Sequence, residues 1–208
     1  MTNKQLASRG GKGGRGTRLP RSFFARYTPS VARELLGCRL VRVVGGKRMA
    51  GVIVETEAYR GEGDPASHAF RGRTRRNELM FGEAGRAYVY FVYGNNWCLN
   101  VTTEPGGIPG AVLIRAIEPL EGIAYMMIRR KSKSPSRALT NGPGKLTQAL
   151  GVSGELNGVD MTRPGPLFIE AAPKPERSQI AASSRVGVTA GKRSKWRFYL
   201  AGNPFVSK

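Results

Sequence analysis

Apolar, Val-rich runs occupy 38–44 and 49–54, the second continuing into E-T-E-A-Y, and apolar residues recur at helical spacing over 29–36 and 119–128. Thr28-Pro29 reads as a helix start, with Thr as cap and Pro at the first helical position. Val31, Ala32, Leu35 and Leu36 form its apolar stripe, and Gly37 ends it. Cys38–Val44 predicts a strand, Gly45-Gly46 a tight turn, and Met49–Tyr59 the partner strand. Gly61–Arg73 predicts a loop that carries His68. Ala87–Thr103 predicts a second hairpin turning at Gly94, Asn95 and Asn96, with Tyr88, Tyr90 and Val92 on one face and Val89, Phe91 and Tyr93 on the other.

Ala111–Ile117 predicts a strand that holds Arg115 inside an apolar run. Pro119 predicts the opening of a helix with Leu120, Ile123, Ala124, Met127 and Ile128 on one stripe. A short helix over Pro143–Leu150 should stop at Gly151, and Pro166–Glu170, Arg185–Val188 and Trp196–Leu200 predict late strands. No internal repeat and no linker interrupt the chain after Phe23. The pattern predicts a single mixed domain of helices and a mainly antiparallel sheet over 22–208. Residues 1–21 contain six Lys or Arg, no acid and five glycines between Gly10 and Gly16. Such a segment buries too little apolar surface to offset its ordering entropy, so it predicts a disordered basic arm.

Within the strand Val52–Tyr59, alternation puts Ile53, Glu55, Glu57 and Tyr59 on one face and Val52, Val54, Thr56 and Ala58 on the other. The second set resembles a wall against a core. The first brings two carboxylates and a phenol together at the end of an otherwise apolar strand. Buried carboxylates are costly unless paired, hydrogen-bonded or used for chemistry. An edge strand whose glutamates face water satisfies the same periodicity.

Charge changes the picture. The 208 residues hold 34 Lys and Arg against 14 Asp and Glu, a net +20. Like charges repel within a compact protein, whereas a polyanion rewards them by releasing condensed counterions. Nucleic acid is therefore the favoured partner; an anionic membrane is disfavoured because no basic amphipathic helix stands out. Two cysteines and one histidine exclude a disulfide framework and argue against a zinc site, and the chain reads as cytoplasmic, nucleoid-associated or nuclear rather than secreted. Gly144-Lys145 is no phosphate loop, since Leu139 and Leu146 stand where that motif needs Gly and Ser/Thr. Lys145 at a helix start could hold a DNA phosphate, or be a plain surface lysine. What remains is a carboxylate at a strand end, aromatic Tyr59 and Tyr90, His68, and an aromatic-tipped hairpin, all within strong positive charge. Those are the parts needed to extrude a nucleotide, stack its base and activate a water.

Several stretches resemble the alkyladenine (3-methyladenine) DNA glycosylase family of base-excision repair. They are V-E-T-E-A-Y (54–59), A-S-H (66–68), R-R-N (75–77), Y-V-Y-F-V-Y-G (88–94) and C-L-N-V (98–101). L-I-R-A-I-E-P-L-E-G (113–122), N-G-P-G-K-L-T-Q-A-L (141–150) and S-R-V-G-V (184–188) complete the set. The resemblance implies an α+β domain with a curved sheet flanked by helices and a protruding, DNA-inserting β-hairpin. It implies a monofunctional enzyme that needs no cofactor or metal. It acts as a monomer on double-stranded DNA containing alkylated or deaminated purines, away from membranes. By the same resemblance Glu57 is the general base, and Arg115 with the carbonyl of Val186 helps hold the water. Tyr59, His68 and Tyr90 surround the flipped base, Asn100 forms the pocket floor, and Tyr93 fills the vacated space in DNA. Asn95 and Asn96 depart from the bulkier residues some members carry there. Arg75, Arg76 and Lys145 are candidates for the DNA backbone. A noncatalytic nucleic-acid-binding protein on the same fold is the alternative. Paired glutamates also raise a polysaccharide glycosidase, which the basic charge opposes.

Overall fold

The computed structural model describes residues 16–61, 63–92, 94 and 96–207. Tyr93, Asn95 and the first 15 residues of the expected arm lie outside them. Two helices lead, α1 (Arg21–Phe24) and α2 (Thr28–Glu34), followed by β1 (Arg39–Val44), β2 (Lys47–Arg60), β3 (Ala87–Val92), β4 (Asn96–Thr102) and β5 (Gly110–Glu121). Then come α3 (Ile123–Arg130), α4 (Pro143–Leu150), β6 (Leu167–Glu170), β7 (Ile180–Ser183) and β8 (Arg197–Leu200). The eight strands form one curled, antiparallel sheet in the order β3-β4-β5-β2-β1-β6, with β8 joining β2 and β7 joining β8. Among the described residues no helix is long and apolar enough to cross a membrane.

β2 organises this sheet. One edge pairs with β5 along its length; the other pairs with β1 over its first half and with β8 at Glu55, Thr56 and Glu57. The register with β5 slips on either side of Glu55. Strict alternation would put Ile53 beside Glu55 and opposite Ala58, yet Ile53 and Ala58 share the main core. The irregularity therefore resets the phase: apolar odd positions face the core before it and even positions after it. Both faces of β2 are covered here, so Glu55 and Glu57 are fully buried and the edge-strand reading fails.

The main core lies between this sheet and helices α2 and α4, where Val31, Leu35, Ile53, Ile114, Ile117, Leu146 and Leu150 meet. Each such side chain contributes about 1.5–3 kcal/mol when removed from water. A smaller cluster of Ala69, Met80, Tyr88 and Ala111 underlies the cavity described below.

Four expectations are corrected. Packing begins before residue 22: Leu19 is buried in the main core with its N–H on the Ile169 carbonyl, and Arg21 pairs with Asp160 at 2.6 Å. Thr28 does not cap α2; the Glu104 carboxylate, from 76 residues away, takes both the Thr28 N–H and its hydroxyl. Pro119 stays in strand β5 rather than opening a helix. It sits opposite Gly51 beside a register slip, where a Cβ on Gly51 would come within 2.7 Å of the Glu118 carbonyl. Proline is tolerated in a sheet at such irregular positions. Helix α3 therefore starts at Ile123, burying Met126 while Leu120 and Ile128 stay exposed. Arg185–Val188 is no strand: β7 ends at Ser183 and a turn follows. The helix over Pro143–Leu150 with Gly151 as its left-handed cap forms as the sequence predicts.

Candidate active site

Glu57 lies near the end of β2 with no solvent exposure. Its Oε2 accepts from the Tyr59 hydroxyl at 2.8 Å and from Arg115 Nη1 at 3.1 Å, and its Oε1 accepts the Val186 N–H at 2.7 Å. The donors come from β2, from β5 and from the turn after β7. A carboxylate offers about four acceptor positions, so among the described residues one on Oε1 has no donor. Two residues earlier, Glu55 receives four donors: Arg115 Nε, Arg197 Nε, the Ser207 hydroxyl and the Ser207 N–H. Arg115 thus bridges both carboxylates, which explains an arginine inside an apolar strand. Burial opposes its charge, but Glu57 and Glu55 outweigh that and raise its pKa above the ordinary value.

In front of this network opens a cavity of about 400 Å³. Tyr59, His68, Tyr90, Asn100, Arg115 and Val186 all line it, together with Tyr88 and Cys98. Strand alternation brings Tyr88 and Tyr90 of β3, and Cys98 and Asn100 of β4, to one face. His68 packs on Tyr90 with ring centroids 4.7 Å apart, and its Nδ1 bonds the Tyr88 hydroxyl at 2.8 Å. The surrounding protein, and then the Arg76 guanidinium, hold the His68 pKa below its usual value. The imidazole is therefore neutral at pH 7. Asn77 fixes the His68 loop from behind by donating to the His68 and Gly72 carbonyls. Asn100 donates to the Tyr88 carbonyl at 3.1 Å.

The phenols are donors at neutral pH. Burial first and the adjacent Glu57 second push the Tyr59 pKa upward, so its proton stays on the bond to Glu57. Burial pushes Tyr88 up to about 12 and raises Tyr90 further. Tyr90 also bonds the Cys98 thiol, whose own pKa burial raises, so this cysteine is a protonated wall residue.

Seven of the expected site residues thus come together: Glu57, Tyr59, His68, Tyr90, Asn100, Arg115 and Val186. At Val186 the atom held against Glu57 is the backbone N–H. Arg75 and Arg76 are exposed, and Arg76 lies over the Tyr90 ring, 5.3 Å from its centroid. Lys145, on the first turn of α4, does not line the cavity; its Nζ donates to Asn141 just before that helix. Sequence reasoning missed Asp64, Arg185, Arg197 and Ser207, whose partners lie 121 to 152 residues away. It also passed over Tyr88 and Cys98, which alternation with Tyr90 and Asn100 would have found. Among the described residues no cluster of His, Cys, Asp or Glu could hold a metal ion.

The sequence profile described as methylpurine-DNA glycosylase matches residues 22–204. A protein of Carboxydothermus hydrogenoformans named "Putative 3-methyladenine DNA glycosylase" is 49% identical over 190 residues, covering 91% of this chain and 98% of that protein. Like-named proteins of Chlorobium phaeobacteroides and Methanocella arvoryzae are 46% and 48% identical, each over 91% of this chain and 96% of its relative. With the match spanning the packed domain and every element that lines the cavity, the chain belongs to the methylpurine-DNA glycosylase family.

Proposed function

We propose that this DNA glycosylase is monofunctional. It takes an alkylated purine out of duplex DNA and hydrolyses its N-glycosidic bond with a water activated by Glu57, leaving an abasic site. One observation carries this reading: a fully buried carboxylate is fixed by three donors from three segments, and the residues that supply them, Tyr59, Arg115 and Val186, form the wall of a cavity of about 400 Å³.

The flipped base stacks in the slot that Tyr59 forms with His68 and Tyr90. Arg185 lies over Tyr59 and Arg76 over Tyr90, so a guanidinium backs each ring. As the bond from C1′ to the base nitrogen breaks, its electron pair leaves with the base and positive charge develops on the deoxyribose. Glu57 stabilises that charge and accepts a proton from the water whose oxygen bonds to C1′. The donors from Tyr59, Arg115 and Val186 hold the carboxylate in place, so little reorganisation is needed at the moment of reaction. Among the described residues no lysine lines the cavity, which supports attack by water rather than by an amine that forms a Schiff base, with the strand left uncut. Tyr93 fills the gap in the duplex, and Arg75, Arg76 and Lys145 contact its phosphates.

Incubation with methylated duplex DNA tests this. Free methylpurine should appear together with abasic sites that break only on later alkaline treatment. Borohydride should trap no covalent protein–DNA adduct. Binding without base release would establish the noncatalytic alternative.

A further inference from the structure

Asp64 and Arg185 support the cavity without lining it. Their side chains are 1% and 0% exposed and form a bidentate ion pair, with Nη1 to Oδ2 at 2.7 Å and Nη2 to Oδ1 at 2.5 Å. From there the pair reaches three separate parts of the site. Asp64 accepts the Arg60 and Ala66 N–H groups, which folds the loop leading to His68. Arg185 Nη1 donates to the Ala58 carbonyl at 2.8 Å, and its guanidinium lies over the Tyr59 ring, 4.7 Å from the centroid. The residue after Arg185 is Val186, whose N–H holds Glu57. The same loop closes on itself where the Ser184 hydroxyl meets the Lys192 carbonyl. It also passes directly beneath the pair: a Cβ on Gly191 would lie 2.8 Å from Arg185 Nη2.

A buried ion pair contributes little to net stability, because desolvation offsets most of the attraction and apolar residues of like volume often serve as well. Stability alone therefore does not call for a charged pair here. Geometry does. A bidentate guanidinium–carboxylate contact fixes distance and plane together, which a single apolar contact cannot. We propose that Asp64 and Arg185 are positioning residues, a clamp that sets the Tyr59 hydroxyl and the Val186 N–H on Glu57 while leaving DNA binding to other groups. The proposal rests on the reading of Glu57 as general base.

Two variants test it: Arg185→Lys, which keeps the charge but loses the fork, and Asp64→Leu/Arg185→Met, which removes both charges at similar volume. On methylated duplex both should lower the single-turnover rate at saturating protein by about 10–100-fold, the scale of a misplaced catalytic group. The protein concentration giving half-saturation should move less than about threefold, since no phosphate contact is lost. Arg185→Lys should also couple to Tyr59→Phe, with its loss shrinking by at least about threefold in that background because both act on one hydrogen bond. If the double substitution does not fold, Arg185→Lys and the Tyr59→Phe cycle decide alone. Saturating rates equal to the parent's, or losses strictly additive with Tyr59→Phe, overturn the clamp. A parent protein that binds but releases no base overturns the general-base reading and the clamp with it; an active parent with unimpaired variants overturns the clamp only.

Discussion

Glu55 and Glu57 stand two residues apart on one strand, equally buried, and both bond the same arginine. They differ in what else surrounds them. Glu55 takes four donors, three of them on Oε1 and two of the four from Ser207 near the end of the chain, and of its donor residues only Arg115 lines the cavity. Glu57 has three donors, and all three of their residues, Tyr59, Arg115 and Val186, form the cavity wall. Burial and charge pairing are thus the same in kind for both carboxylates. The place of the donors, in the cavity wall for Glu57 and mostly away from it for Glu55, separates the two.

The largest test of that contrast is catalytic. Glu57→Gln should lower base release by about 10²–10⁴ while damaged duplex still binds. Glu55→Gln should stay within about tenfold of the parent rate per folded molecule, by the same scale. Equal losses in single-turnover assays would abolish the distinction. The second test reverses the order. Glu55→Gln leaves Arg197 and part of Arg115 buried without their countercharge, at a cost of about 3–5 kcal/mol. Glu57→Gln leaves Arg115 its bond to Glu55 and should cost less, as chemical denaturation would measure.

A smaller effect is expected from Tyr59→Phe, which removes one hydroxyl donor from Glu57 and none from Glu55. A hydrogen bond to a charged group contributes about 1.5–3 kcal/mol, so base release should fall about tenfold or somewhat more. No loss would mean that Arg115 and Val186 suffice. The smallest effect sets the conditions. His68 has its pKa lowered in the folded protein, so between that value and about 6.5 the unfolded chain binds the additional proton. Stability should therefore rise with pH through that window and level off above it, and His68→Gln should flatten the slope. The two glutamates are best compared above pH 7, where this contribution is constant. A slope unchanged by His68→Gln would show that other groups set it.

Much of this arrangement was legible in the sequence. The pairing of Glu57 with Tyr59 follows from alternation, and the helix over Pro143–Leu150 from its Pro and Gly boundaries. Where the sequence misled, a distant residue overrode a local signal. Thr28 has the chemistry of a cap, but Glu104 reaches it first. Pro119 signals a helix, but the small Gly51 and the slipped register let β5 run through it. Alternation also placed Ile53 with the glutamates, because no local pattern announces the irregularity at Glu55. The ion pairs of Arg185 and Arg197 are invisible for the same reason: nothing near 185 or 197 names Asp64 or Glu55 as a partner.

The change of partner along β2 has a consequence for synthesis. Its first half finds β1 within a few residues, but Glu55 waits for Arg197, 142 residues later. At about 5–20 residues per second, that is roughly 7–30 s during which the carboxylate half of β2 is an unpaired edge on the nascent chain. Charged side chains on such an edge disfavour edge-to-edge pairing between chains. The carboxylates that end in the buried network are thus, while the chain is incomplete, charged side chains on an exposed edge.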